Sequence, residues 1–67
     1  MKAVKLKDIN KGVWFTRKPI ENPKENQVYI KSSYDRTIKK YSCIKYSDMN
    51  SEIMLKGETI VYIDFTF

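Results

Sequence analysis

The chain of 67 residues contains no histidine and a single cysteine, Cys43. Without histidine it lacks the commonest general base near neutral pH, and one cysteine allows no internal disulfide. Cysteine and carboxylate side chains do not cluster at the spacing of a zinc site. We therefore predict no catalytic residues and no metal site, and we interpret Cys43 as a structural thiol.

Glycine and long apolar runs are also scarce. The two glycines, Gly12 and Gly57, are too few for a glycine-rich phosphate loop, so we predict no cofactor. The longest apolar run, Ile60 to Ile63, is far too short to cross a bilayer. The basic N-terminus lacks the apolar segment of a signal peptide. These features predict a cytoplasmic protein with no membrane segment.

Positive charge is plentiful and unevenly placed. The net charge is +5, and residues 1–24 hold seven Lys and Arg against Asp8 and Glu21. A basic surface attracts nucleic acid or an acidic protein. Small domains also carry a net charge of this size for solubility alone. Charge by itself favours the solubility interpretation over a binding partner.

The tail of the chain, residues 59–67, reads T-I-V-Y-I-D-F-T-F. Val61, Ile63, Phe65 and Phe67 fall on one side of an extended chain, and Ile60, Tyr62, Asp64 and Thr66 fall on the other. A period of two indicates a strand with one buried face. We predict that this strand reaches the last residue and belongs to the core.

Other segments carry β-strand patterns separated by turn residues. Ser47 or Asp48 could cap a short helical turn. A strand from Glu52 to Leu55 fits the same segment almost as well. The remaining elements are a short strand over 4–9, a turn at 10–12, a strand over 13–18, an exposed loop over 19–26, a strand over 27–34, a hairpin turn at 35–39 and a strand over 40–46.

Together these elements predict one small, mostly β domain over residues 1–67. It has four to five antiparallel strands and one short helical turn. Two forms are open: a small antiparallel sheet, or an SH3-like or OB-like barrel.

One group of aromatic and lysine side chains indicates a function. Alternation puts aromatic rings and lysines together on the sheet face opposite the core. Rings that stack on bases, beside lysines that neutralise phosphates, are typical of single-stranded nucleic-acid binding. Arg17 and Arg36 could add stacking or bidentate phosphate contacts. The predicted core face is Phe15, Val28, Ile30, Ile44, Val61, Ile63 and Phe65, and the predicted binding face is Trp14, Lys18, Tyr29, Lys31, Tyr41, Lys45 and Tyr62.

The same residues have a purely structural interpretation. A one-residue slip of the 40–46 strand would exchange its two faces. Trp14 and Phe15 are adjacent, and either could be the core member. The tyrosine rings could pack within the domain or against a second copy of the chain. A homodimer is therefore also open.

The segment Y-D-R-T-I-K-K-Y, residues 34–41, has two compatible interpretations. Asp35 can accept hydrogen bonds from backbone amides that follow it and so build a hairpin turn. Arg36, Lys39 and Lys40 can form a basic tip that touches phosphate.

Three stretches carry a resemblance that covers nearly the whole chain: L-K-D-I-N-K-G-V-W-F-T, V-Y-I-K-S-S-Y-D-R-T-I-K-K-Y-S-C and L-K-G-E-T-I-V-Y-I-D-F-T-F. The sequence resembles short proteins of gut bacteria and of their phages or mobile elements that have no assigned activity. The resemblance implies a small intracellular β-domain and a mobile-element context.

The residues thus predict a non-catalytic binding module. Its first expected ligand is nucleic acid, bound weakly as a single strand or without sequence preference. The alternative is a protein–protein interaction module, such as a phage or mobile-element factor that acts on a host protein.

Overall fold

A computed structural model describes residues 1–65, so Thr66 and Phe67 lie outside the described residues. Six strands form one antiparallel sheet in the order β1-β6-β2-β3-β4-β5. The predicted small, mostly β fold is confirmed, with six strands where four to five were expected. The elements are β1 (Lys2–Lys5), a 3-10 turn (Leu6–Asp8), β2 (Trp14–Thr16), a 3-10 turn (Glu25–Gln27), β3 (Val28–Asp35), β4 (Lys40–Lys45), β5 (Asp48–Leu55) and β6 (Ile60–Ile63).

The sheet curls around one hydrophobic core. Val4 of β1 and Ile53 of β5 belong to the two edge strands, yet both pack against the same core cluster. Leu6 and Ile9, from the segment after β1, fill the hollow of this concave face. The buried cluster consists of Leu6, Ile9, Phe15, Cys43 and Val61.

Strand register shows which side chains share the concave face. Phe15 lies opposite Tyr29, and Trp14 lies opposite Ile30. Because directly opposed residues point to the same side of a sheet, Tyr29 joins Phe15 on the concave face. The prediction that Val28 and Ile30 accompany Phe15 is therefore wrong. We call the other side, which carries Trp14, Thr16, Val28, Ile30, Ile44 and Tyr62, the convex face.

The physical reason for this error is burial on both sides of the sheet. Thr16 and Val28 are fully buried on the convex face, as Phe15 is on the concave face. When both faces of a strand are covered, apolar alternation no longer identifies the face that meets the core. The segment over residues 19–26, predicted as an exposed loop, is not exposed throughout, since Pro23 is buried.

A bulge in β3 changes the side of the sheet to which its last side chains point. Lys31 pairs with Cys43, but the next pair is Tyr34 with Tyr41. One extra residue therefore lies on β3 between these pairs, at Ser32 and Ser33. This insertion rotates Tyr34 onto the side of Tyr41.

Two turns agree with the sequence. Gly12 has a φ of 90°, a conformation that glycine adopts without a steric penalty, in the predicted turn at 10–12. The Asp35 carboxylate accepts a hydrogen bond from the Thr37 backbone N–H at 2.9 Å, as the predicted hairpin turn requires.

The segment after β4 differs from the helical-turn prediction. Residues 46 and 47 form the turn between β4 and β5, and β5 begins at Asp48. The Asp48 carboxylate accepts a hydrogen bond from the Asn50 N–H at 3.1 Å, within a register shift of the β4–β5 pair. Asp48 thus stabilises a bulge, and the alternative strand over Glu52 to Leu55 is confirmed.

The tail strand is shorter than predicted. Val61 is buried in the core and Ile63 packs against it, as expected. The strand ends at Ile63 because Asp64 takes a left-handed φ of 61°. Phe65 is half-buried, and the predicted role of Phe67 lies outside the described residues. Within residues 1–65 no helix has the length and apolar character needed to cross a membrane.

Candidate nucleic-acid interface

The predicted binding face is divided between the two sides of the sheet. Tyr29 opposes Lys45, and Lys31 opposes Cys43, so these residues share the concave face. Tyr41 packs against the same core. Trp14 and Tyr62 lie on the convex face instead. The structure therefore does not form the continuous aromatic and basic surface that alternation predicted.

Trp14 is the outward member of its pair, as predicted. Its exposed fraction is 43%, whereas Phe15 is fully buried. The Trp14 ring contacts that of Tyr46, with ring centroids 5.1 Å apart. Tyr62 lies next to this region, because it pairs with Thr16 across the β2–β6 contact.

Lys31 is an interior residue, which corrects its predicted place on the binding face. It is 6% exposed, its Nζ donates to the Ile9 carbonyl, and this nitrogen lies 4.3 Å from the centroid of the Tyr41 ring. Burial lowers its pKa. An ammonium in this position cannot reach a phosphate. It ties Ile9, the residue directly after the Leu6–Asp8 turn, to the sheet.

The two ends of the concave face open into grooves. The first, which we call the loop groove, lies where β2 runs into the segment that leads to β3. Its volume is roughly 360 Å³. It is lined by Arg17, Lys18, Ile20, Asn26, Gln27 and Tyr29.

The loop groove is electropositive. Arg17 and Lys18 line it, and Lys45 faces Tyr29 across the β3–β4 pair. Among the residues that the structure describes, no carboxylate lines this groove, and none of these three cations forms an ion pair. Tyr29 supplies an aromatic wall and is held by Phe15, with ring centroids 5.9 Å apart and an interplanar angle of 22°.

The second groove, which we call the hairpin groove, lies at the opposite end of β3. Its volume is roughly 530 Å³. It is lined by Lys7, Tyr34, Ile38, Lys39, Tyr41, Lys56, Gly57 and Glu58.

Two tyrosines form the aromatic wall of the hairpin groove. The Tyr34 and Tyr41 ring centroids are 4.8 Å apart, and the rings are tilted by 54°. Tyr41 is fixed from behind by Lys31 and Gly57: a Cβ added to Gly57 would lie 3.1 Å from Tyr41 Cε2. Tyr34 is 47% exposed, so much of its ring surface is open to a ligand.

The lysines of the hairpin groove differ in their availability. Lys7 Nζ lies 2.7 Å from Glu58 Oε1, and Lys5 Nζ lies 3.1 Å from Glu58 Oε2. These contacts lower the pKa of Glu58 and raise that of Lys7. Within residues 1–65, Lys39 and Lys56 form no ion pair. Both can therefore meet an anionic ligand.

The hairpin turn beside this groove carries Arg36 and Lys39. Both are exposed, and Arg36 lies outside the groove lining. Lys39 has a φ of 55°, a left-handed conformation that usually belongs to glycine or asparagine. The sequence interpretation of this segment as a basic tip found Lys39, whereas Tyr34 and Lys56 were missed. The bulge that turns Tyr34 toward Tyr41 has no signal in the alternation pattern.

Cys43 lies in the core and not in a reactive environment. Its side chain is fully buried, and burial raises its pKa to about 11. The thiol is therefore protonated at neutral pH and is a poor nucleophile. Over the described part of the chain, no group of three or more Cys, Asp or Glu residues could hold a metal ion.

The comparisons with known proteins add no relative. The sequence matches no protein-family model, and neither a curated protein nor a solved structure is significantly similar to it.

Proposed function

We propose that this chain is a non-catalytic module that binds single-stranded nucleic acid weakly and without sequence preference. The observation that carries the proposal is the loop groove, where two cations line the cavity beside an aromatic wall and a third lies next to that wall, none of them in an ion pair within residues 1–65. The cations are Arg17, Lys18 and Lys45. Lysine and arginine neutralise phosphates, and a ring beside them can stack on a base.

The composition of the loop groove favours an anion with a flat apolar part. Ile20 and Tyr29 supply apolar surface, and the amides of Asn26 and Gln27 can donate or accept hydrogen bonds. Arg17 adds a planar guanidinium that can grip two phosphate oxygens at once. A nucleotide within a strand presents this combination of base and phosphate.

The number of cations sets the expected salt dependence. For single strands the slope of log K against log salt is about −0.7 per phosphate contact, so three contacts predict a slope of about −2. Non-specific binding of this type has dissociation constants of roughly 10⁻⁴ to 10⁻⁶ M at physiological salt. We expect affinity in this range for oligothymidine, which does not pair with itself.

Fluorescence anisotropy with labelled oligothymidine tests the proposal. Arg17→Ala and Lys18→Ala should each weaken binding and make the salt slope shallower by about 0.7. Lys2→Ala removes an equal charge from β1, outside both grooves, and is the matched control. No binding at low salt with protein at about 100 μM would reject the function. Equal losses in the control would show that net charge alone attracts the strand.

A second candidate function is a protein–protein interaction module. It rests on the convex face, where register aligns Trp14, Ile30 and Ile44 in one row across three strands. An apolar protein interface would show little salt dependence. The salt titration therefore separates this candidate from nucleic-acid binding. Sedimentation, which measures the oligomeric state, tests whether the partner is a second copy of the chain.

A further inference from the structure

The hairpin groove has the same chemistry as the loop groove but lies at the other end of the same strand. Tyr29 and Tyr34 line different grooves and are five residues apart in β3. At about 3.3 Å per residue, the separation along the strand is roughly 17 Å. Stacked nucleotides advance by about 3.4 Å, so roughly five of them cover this distance.

We propose that the hairpin groove is a second subsite, and that one single strand occupies both grooves at once. This inference rests on the proposed function of the loop groove. Leu6 and Ile9 fill the middle of the concave face. The nucleic-acid strand therefore crosses over the segment that carries these two residues. Lys7, in that segment, already lines the hairpin groove.

The hairpin groove is built to receive a base. Tyr34 is 47% exposed and leans on Tyr41, which the core holds in place. A base can therefore stack on Tyr34 without displacing a packed side chain. Ile38, also 47% exposed, extends the apolar surface beside it.

The same groove offers charge to the phosphates on either side of that base. Lys39 and Lys56 form no ion pair within residues 1–65. Lys39 also holds a left-handed φ of 55°, where glycine would be unstrained. A lysine in a position that favours glycine is explained if its side chain contacts a ligand.

Two connected subsites predict a dependence on strand length. A strand held in one groove meets the second groove at a high effective concentration. An oligothymidine of about ten nucleotides can span both grooves, whereas one of about three cannot. The longer strand should bind at least ten-fold more tightly, with a salt slope near −3.5 for five phosphate contacts.

Variants in the hairpin groove test the inference. Tyr34→Ala should weaken binding of the ten-nucleotide strand by about five-fold or more, because base stacking is lost. Tyr34→Phe keeps the ring and should bind as the wild type does. Lys39→Gly should make the salt slope shallower by about 0.7 for the long strand. Circular dichroism confirms that each variant is folded.

The outcomes separate the inference from the function on which it rests. If the loop-groove variants weaken both lengths while Tyr34→Ala binds the long strand like the wild type, the second subsite is rejected and the function stands. Equal affinity for the two lengths, or two long strands bound per protein, would also overturn it. If neither length binds, the proposed function itself fails.

Discussion

Gly57 is a crowded point of the hairpin groove, and Gly57→Ala tests the packing there directly. A Cβ at this position would lie 3.1 Å from both Tyr41 Cε2 and Lys7 Cβ. Its backbone does not have a positive φ, so alanine meets no conformational strain there. The effect of the substitution is therefore steric, and it falls on the ring that supports Tyr34.

The size of the effect follows from two opposing terms. Crowding a packed site costs about 1–3 kcal/mol. Replacing glycine by alanine also lowers the conformational entropy of the unfolded chain, and this stabilises the folded protein by about 0.4–1 kcal/mol and offsets part of the crowding cost. We expect a net loss of about 1 kcal/mol in the free energy of unfolding, which lowers Tm by about 4–8 °C in a domain of this size.

Gly12→Ala is the matched control for this experiment. Gly12 has a φ of 90°, and nothing lies within 4 Å of the position that a Cβ would take, so alanine there is strained without touching a neighbour. We expect a loss of roughly 1–2 kcal/mol. Both variants should thus melt earlier by circular dichroism, but Gly57→Ala alone should weaken binding of a long oligonucleotide. A Gly57→Ala protein that binds the long oligonucleotide as tightly as the wild type does would refute the packing of Tyr41 on Gly57.

Three further predictions concern the core and the charges. Phe15→Ala should cost about 3–5 kcal/mol in a urea titration, and Trp14→Ala much less, because Phe15 is buried and Trp14 is 43% exposed. Equal costs would contradict this assignment. Glu58→Gln releases Lys5 and Lys7, so anisotropy should show tighter oligonucleotide binding, and weaker binding would argue against their access to phosphate. From pH 9.0 to about 11 the wild type should lose stability relative to Cys43→Ala, since the unfolded thiol ionises while the folded thiol stays protonated. A constant difference between the two would place the thiol outside the core.

The sequence predicts the position of turns and strands better than the face of the sheet on which each side chain lies. Turn residues located the hairpin at Asp35 and the tight turn at Gly12, because their chemistry is local. Alternation also identified the tail strand through Val61 and Ile63. These features depend on neighbours in the chain, and the structure confirms them.

Which side chains of β3 meet the core depends on its partner strands and could not be predicted from alternation. Val28 and Ile30 are the β-branched residues of this strand, so they were assigned to the core. The register instead brings Tyr29 to Phe15 and places Lys31 in the interior. A lysine can occupy that site because the Ile9 carbonyl and the Tyr41 ring receive its ammonium group. No local pattern encodes such partners.

The candidate site likewise contains some residues that the sequence predicted and others that it did not. Lys18 and Tyr29 were predicted and both line the loop groove, and the predicted Lys45 lies opposite Tyr29 in the β3–β4 pair. Tyr34 was not predicted, because its facing depends on the bulge at Ser32 and Ser33, which breaks the period of two. The residue types of the candidate site were thus accessible from composition, whereas their positions depend on the curl and register of the sheet.

Amide chemical-shift mapping with a ten-nucleotide oligothymidine tests the central claim most directly. We predict that shifts concentrate at two places: Arg17 and Lys18 beside the loop groove, and Tyr34 and Lys39 beside the hairpin groove. The Trp14 indole N–H, on the convex face, should remain unchanged. Shifts centred on Trp14, Ile30 and Ile44 would contradict the account, because the strand would then occupy the convex face.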